Sequence, residues 1–327
     1  MRWHRLVVWL LIAAVLALWP LYVGSPYLVG VSITVLIYIA LALSFDLVVG
    51  RTGLLSFAHP GFFGIGAYTA ALLGLHLGSP FPLRLGAAVV TAVLASIIIG
   101  VPSFRLSYHS FAMGTLGFAF IAQIIALNWI PVTRGPLCLP GVPPVDLRMG
   151  SWTWSATTLS ENYYVVLILA TITLWIVVRV AHSRIGRTLM AIRDDETLAK
   201  AVGVPVLRYK MLAFVTGAGV AGSLGSFFAS YASAVCPTEL GIAYSVNLII
   251  ILFLGGRGTL AGPILGAILF TGLPEFLRMA EAWRLVVYGL LIILASALVP
   301  EGIITWAFEM WQKRREGPQL GSAPLAN

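Results

Sequence analysis

Between Pro26 and Arg51 the only charged residue is Asp46; the rest of "YLVGVSITVLIYIALALSFDLVVG" is apolar or neutral. A run of this length matches the ~20 residues a helix needs to cross a bilayer core. Inside lipid every backbone N–H and C=O must be satisfied within the protein, so spanning runs are helices or closed barrels. The apolar residues are continuous and do not alternate, which points to helices. The pattern recurs, giving ten predicted segments: 6–23, 28–49, 53–77, 84–101, 109–130, 162–180, 209–231, 242–256, 258–274 and 283–300. The eighth and ninth are short and flank "LGGRGTLAGP", which predicts a tilted or broken, re-entrant pair. The expected fold is all-α: a polytopic membrane protein of about ten membrane segments.

Composition excludes the competing class, a soluble protein with a large core. Hydrophobic residues make up 59% and charged residues 10%, against roughly 45–50% apolar in soluble domains. Too little polar sequence remains to cover such a core. The net charge of +8 invites a nucleic-acid reading, but the basic residues punctuate apolar runs and form no single stripe. They are better read as topology determinants. The start, "MRWHRLVVWLLIAAVLALWP", has the basic head and apolar run of a signal peptide but no small-x-small cleavage site, so it is taken as an uncleaved first span.

Positively charged loops stay on the cytoplasmic side. With the N-terminus inside, inner segments carry 15 Lys and Arg and outer loops carry 5. Both termini are therefore expected in the cytoplasm. Residues 1–310 read as a single transmembrane domain and 311–327 as a disordered cytoplasmic tail. The outer loop 131–161 carries Trp152 and Trp154, and reads equally as a docking surface or a solvated connector.

One stretch breaks the apolar pattern. Residues 179–210 hold seven basic groups (Arg179, Arg184, Arg187, Arg193, Lys200, Arg208, Lys210) and three acids (Asp194, Asp195, Glu196). Asp194 or Asp195 is a natural N-cap, with acids suiting the positive end of the helix dipole. Gly203 stands where a left-handed C-cap is wanted, and Pro205 prevents continuation. A helix of about two and a half turns, roughly 12–15 Å, is predicted. Helices this short are marginal alone in water, so something must pack against it. Leu198, Ala199, Ala201 and Val202 supply an apolar face, and Glu196 with Lys200 an i,i+4 pair on the wet side. The island reads as a force-transmitting knob or as a positive-inside loop that happens to be helical.

"SRIGRTLMAIRDDETLAKAVGVPVLRYKMLAFVTGAGVAGSLGSFFA" (183–229) resembles the cytoplasmic loop and following span of branched-chain amino-acid ABC importer permeases of the LivM type. "GLLSFAHPGFFGIGAYTAALL" (53–73), "TRGPLCLPGVP" (133–143) and "LGGRGTLAGPILGAIL" (254–269) resemble further blocks of that family in the same order. The resemblance covers roughly residues 28 to 305. It implies that loop 183–208 couples the spans to a partner ATPase through Arg184, Gly186, Arg187, Ala191, Arg193, Asp194, Asp195, Glu196, Ala199 and Gly203. It further implies a homologous permease subunit, two ATPase chains and an external solute-binding protein in a bacterial inner membrane. Leucine, isoleucine and valine are the implied cargo, with urea, short amides or other amino acids as alternatives. The sequence departs from the family at "RLSYHSFAMGTLGFAF", where Tyr108 and Ser110 stand at a Gly and a Tyr position and Phe120 lies where an acid is common.

A phosphate-binding loop needs Gly-Lys-Ser/Thr, whereas the lysines here follow Ala199, Tyr209 and Gln312. No cofactor is expected in this chain; ATP and magnesium belong to the partner ATPase. No nucleophile–base–acid set or metal-ligand spacing stands out, so an enzyme is disfavoured. The spans also lack the acidic or basic ladder of a proton-coupled carrier, which disfavours a stand-alone carrier or channel. Ser56, His59, Tyr68, Thr115, Gln123 and Asn247 are the candidates for lining a translocation path; bridging between helices is the competing role. Asp46 is expected to pair with Arg51 or Arg105. Gly64 and Gly66, with Ala67 and Ala70, are expected to allow close helix approach. Cys138 and Cys236 fall in outer loops and either remain free or bridge them, since a periplasm permits disulfides.

Overall fold

Six helices are long and apolar enough to cross a membrane in the computed structural model, which describes residues 15–16, 18–22, 24–149 and 152–272. They are α1 (Pro26–Thr52), α2 (His59–Leu77), α3 (Phe81–Ser103), α4 (Tyr108–Asn128), α5 (Leu159–His182) and, after two short helices, α8 (Val206–Ala232). The short pair is α6 (Arg184–Asp194) and α7 (Glu196–Ala201), and α9 (Ile242–Gly255) and α10 (Ala261–Ala267) follow α8. Predicted segment 283–300 and most of 6–23 lie outside the described residues. Segment 53–77 needs correcting: residues 53–58 are not helical, and the helix starts at His59.

Local chemistry sets the helix ends. Gly53 closes α1 in the left-handed region at φ 76°, its N–H bonding Val49 O. Thr158 and Glu161 exchange bonds across the first turn of α5, a reciprocal capping box that satisfies two otherwise orphaned donors.

α8 runs through the middle of the bundle, against α1, α2 and α3. It can do so because glycines let backbones touch. A Cβ at Gly66 would lie 2.3 Å from the carbonyl oxygen of Gly222, and one at Gly225 would lie 2.0 Å from that of Phe63. Ala88 and Ala92 of α3 press on Gly222 from the other side. Lipid gives helices no hydrophobic drive to associate, so close small-residue packing holds them together. Gly64 instead accommodates Leu240. Gly225→Ala is expected to lower the thermal midpoint by an amount equivalent to about 1–3 kcal/mol, the usual cost of overpacking. Gly86→Ala, whose Cβ would meet nothing within 4 Å, is the control and should leave the midpoint in place.

The loop 131–161 is neither free connector nor purely α-helical. β2 (Val145–Met149) and β3 (Trp152–Ala156) form an antiparallel hairpin, while β1 (Leu139–Pro140) pairs with β4 (Ala234–Val235). A disulfide joins Cys138 to Cys236 beside that second pair. Arg84, counted in the sequence as an outer charge, is fully buried. It donates to Pro143 O at 2.9 Å, Pro144 O at 2.7 Å and Ser230 Oγ at 3.2 Å, and pairs with Asp146. Asp146 also accepts the Phe81 N–H at 3.1 Å and pairs with Arg148 at 2.8 Å. The hairpin is thus fastened to the bundle, with Trp154 packed against the main core.

Candidate coupling site and unwound segment

The charged island folds as two helices, where one was predicted. Ser183 caps α6, accepting from the N–H groups of Ile185 at 3.1 Å and Gly186 at 3.4 Å. A side chain at Gly186 would run into the carbonyl oxygen of Ala181 at 2.3 Å, so glycine lets α6 fold back on the end of α5. Asp194 ends α6. Asp195 breaks the helix and caps α7 by accepting the Leu198 N–H at 2.9 Å. α7 is shorter than expected, because the chain turns at Val202 and Gly203, the latter at φ 83°. Ala199 supplies the predicted packing: it is buried with Ile192 and Val206. Leu198 and Val202 do not join it and are 62% and 71% exposed. Arg184, Arg187, Ala191, Asp194, Asp195 and Lys200 are exposed as well.

Glu196 forms the predicted pair with Lys200 at 2.8 Å and a second, unforeseen pair with Lys210 of α8 at 2.6 Å. Partial burial works to raise its carboxyl, but hydrogen bonds and charge from the two lysines outweigh that and hold it below the ordinary carboxylate range. This bond seats α7 on α8.

Arg193 points the other way, into the protein. Its Nη1 donates to Gly50 O at 2.7 Å, and its stem lies against Gly53, where a Cβ would meet it at 3.0 Å. The same guanidinium sits 2.6 Å from where a Gly258 Cβ would be. Gly258 belongs to the glycine turn between α9 and α10, at φ 78°, and donates its N–H to Asp46 Oδ1 at 2.7 Å. Asp46 is fully buried and pairs with Arg51 at 3.5 Å. Arg51, not Arg105, is therefore its partner, and Arg193 adds positive potential at the same carboxylate. The last turn of α6, the end of α1 and the glycine turn meet at one polar knot.

Residues 53–58 form the second feature, a non-helical stretch between α1 and α2. Non-helical backbone at membrane depth persists only where protein satisfies it. Here Thr115 Oγ1 of α4 accepts the Phe57 N–H at 3.1 Å, and Ser245 Oγ of α9 donates to Phe57 O at 2.9 Å. Ser56 Oγ accepts the Ala58 N–H at 3.3 Å. His59 is buried, with Nε2 2.8 Å from Ser44 Oγ. Ser44 gives its hydroxyl proton to Leu41 O at 2.9 Å, which leaves Nε2–H as the donor in the pair.

The family described as "Branched-chain amino acid transport system / permease component" matches residues 27–296, a span that includes both features. The chain belongs to that family. It is 32% identical over 305 residues to the high-affinity branched-chain amino acid transport system permease protein LivM of Escherichia coli, covering 88% of this chain and 72% of the relative. It is 26% identical over 284 residues to LivH of the same system, covering 82% and 91%. It is also 27% identical over 274 residues to the autoinducer 2 import system permease protein LsrC of Salmonella paratyphi B, covering 78% and 73%. No solved structure matches it.

In this permease the six predicted path residues sort into two groups. Ser56, His59 and Thr115 hold the unwound segment and its neighbour α1. Tyr68, Gln123 and Asn247 lie near α9 and the turn that precedes it. Tyr68 is buried, its hydroxyl without a hydrogen-bond partner among the described residues and within electrostatic reach of Glu239. Gln123 packs over Gly241, and Asn247 approaches the Tyr38 hydroxyl. Ser44, Ser245, Glu239 and Lys210 were not picked out as site residues. A lone serine in an apolar run carries no sequence signal of this role, whereas Glu239, an acid beside a span, offered one.

Proposed function

We propose that this permease is a membrane-spanning subunit of an ATP-driven importer for branched-chain amino acids in a bacterial inner membrane. A homologous permease completes the pathway, two separate ATPase chains bind ATP and magnesium, and an external binding protein selects and delivers the solute. The charged island lies on the cytoplasmic side with both termini, as the partition of Lys and Arg favours. Arg193 is the observation that carries this reading. It connects the exposed surface of α6 and α7 to the backbone of α1 and to the glycine turn before α10.

Mechanistically, ATP-driven closure of the motor pushes on α7 through Leu198 and Val202. The Glu196–Lys210 and Arg193–Gly50 bonds pass that push to α8 and α1. The Asp46–Gly258 bond passes it to the α9–α10 hairpin, whose Ser245 holds the unwound segment. Rigid packed elements move as units, so a small displacement at the knob rearranges the path between outward- and inward-facing states. Tyr68, Gln123 and Asn247 line that path, with Ser56, His59 and Thr115 behind them.

Leu198→Asp changes only the exposed grip. In vesicles holding the complete transporter, uptake of leucine is expected to fall to background while the thermal midpoint is unchanged. A cysteine at position 198 should crosslink to the ATPase. Retained ATP-driven uptake in Leu198→Asp, or a crosslink to no ATPase chain, contradicts the reading. The likeness to an autoinducer 2 import permease makes other solutes the competing cargo. A solute scan on the cognate binding protein decides between branched-chain amino acids and urea or short amides.

A further inference from the structure

A cavity of about 290 Å³ opens between α7 and the α3–α4 turn. Glu196, Thr197 and Lys200 form one wall, and Lys210 stands behind them. Ser107 and Tyr108 close the opposite side, over a floor of Leu54, Phe104, Leu106 and Phe111. At ~30 Å³ for each water-sized group, the space holds about ten non-hydrogen atoms.

Its chemistry is specific. Lys210 is only 5% exposed, and an ammonium has three donors. One of them reaches Glu196 at 2.6 Å, the one hydrogen bond of this ammonium among the described residues. Buried donors of a charged group are costly to leave unused. The polar end thus offers two ammonium groups and a single carboxylate, a seat for a carboxylate with an acceptor beside it. The floor is apolar and aromatic. Carboxylate seat, ammonium acceptor and apolar floor together complement a zwitterion with a branched hydrocarbon side chain. An anionic lipid phosphate would satisfy the lysines but would face Glu196 as a second anion.

We propose that this cavity binds the transported amino acid itself on the delivery side, and that the bound product slows further transport. The inference rests on the importer reading above. One wall belongs to the helix that the motor pushes and the other to the α3–α4 turn, so a bound molecule ties them together. A ligand that favours one arrangement shifts the population toward it by its differential affinity. Product accumulating inside therefore holds α7 against the bundle and opposes the coupling stroke.

The test uses the complete transporter in vesicles, with ATP inside and labelled leucine on its binding protein outside. The lumen is preloaded with buffer, leucine, isocaproate (which lacks the amine) or isoamylamine (which lacks the carboxylate). Luminal leucine is expected to slow the initial rate several-fold, and each half-molecule to do so far less. Ser107→Asp puts a favoured residue type at the N-cap position of α4 and a rival carboxylate across the cavity from the lysines. Leu106→Trp fills the apolar floor. Leu106→Trp should transport at the normal rate in buffer-loaded vesicles, and both variants should lose the inhibition.

Uptake that ignores luminal leucine overturns the proposal, as does inhibition that survives both variants. A rate that follows anionic lipid content, with no leucine effect, also overturns it and assigns the cavity to lipid. Absence of ATP-driven uptake from buffer-loaded vesicles overturns the importer reading and this inference with it. Normal uptake without inhibition overturns this inference alone.

Discussion

Asp46→Ala is expected to destabilise the permease by about 3–5 kcal/mol, the cost of leaving one side of a buried ion pair uncompensated. Three groups depend on that carboxylate. The Gly258 N–H donates to it at 2.7 Å, the Arg51 guanidinium lies 3.5 Å away, and Arg193 contributes positive potential from α6. Removing the acid strands a buried cation in a place that water does not reach. Folded proteins hold only ~5–15 kcal/mol of net stability, so the loss should appear as a large drop in thermal midpoint and in the yield of monodisperse protein. Asp46→Asn retains an acceptor for Gly258 and should recover part of the loss. The two variants also separate stability from coupling. If the knot transmits force, Asp46→Asn should fold yet take up leucine poorly, because the glycine turn is then held by a neutral bond. Unchanged midpoints in both variants would remove the knot from the account of stability, and full uptake in Asp46→Asn would remove it from the account of coupling.

The second large effect is expected at the opposite end of the bundle. Arg84→Met should cost about 3–5 kcal/mol by the same logic, because Asp146 then keeps only the half-exposed Arg148 as its cationic partner. The carbonyls of Pro143 and Pro144 and the Ser230 hydroxyl lose their donor as well. The visible consequence is release of the β2–β3 hairpin, read as faster proteolysis within 139–158 at temperatures where the helices remain intact. Combining Arg84→Met with Asp146→Leu should recover part of the midpoint, since replacing both members of a buried pair by apolar groups is far milder than removing one. A double variant no better than the single would show that the arginine acts through its carbonyl contacts and not through the ion pair.

These two knots also show where sequence reading stops. Pairing of Asp46 with Arg51 was open to inference, because the two lie near each other on one helix. The Gly258 contact was not, since it joins residues 212 apart. Nor was the Arg193 bond to Gly50, across 143 positions. Nor was the burial of Arg84 against Asp146, because an arginine beside a proline-rich turn looks the same whether it meets water or a buried carboxylate. The extension of predicted segment 53–77 through 53–58 has a related cause. "GLLSFA" is apolar enough to continue a helix, and only Thr115 and Ser245, from distant spans, offer its backbone another set of partners.

At the charged island, the cap at Asp195, the turn at Gly203 and the Glu196–Lys200 pair were readable, because each is settled within one or two turns of chain. The division of the apolar face was not. Ala199 goes inward and Leu198 and Val202 outward because Ile192 and Val206 approach from one side, and the pattern of a six-residue helix does not fix that direction.

By itself, the amino-acid order determined that this chain lives in a membrane, where its main spans lie and where its charge gathers. It did so because insertion into lipid and helix capping depend on composition and spacing over a few turns. Tertiary structure alone decided which side chains tie the island to the glycine turn, which backbone stays unwound, and that the loop 131–161 is fastened to the bundle by Arg84 and a disulfide. Those outcomes depend on partners brought together from far along the chain, and hydrogen bonds and close glycine contacts of that kind leave no local trace in a sequence.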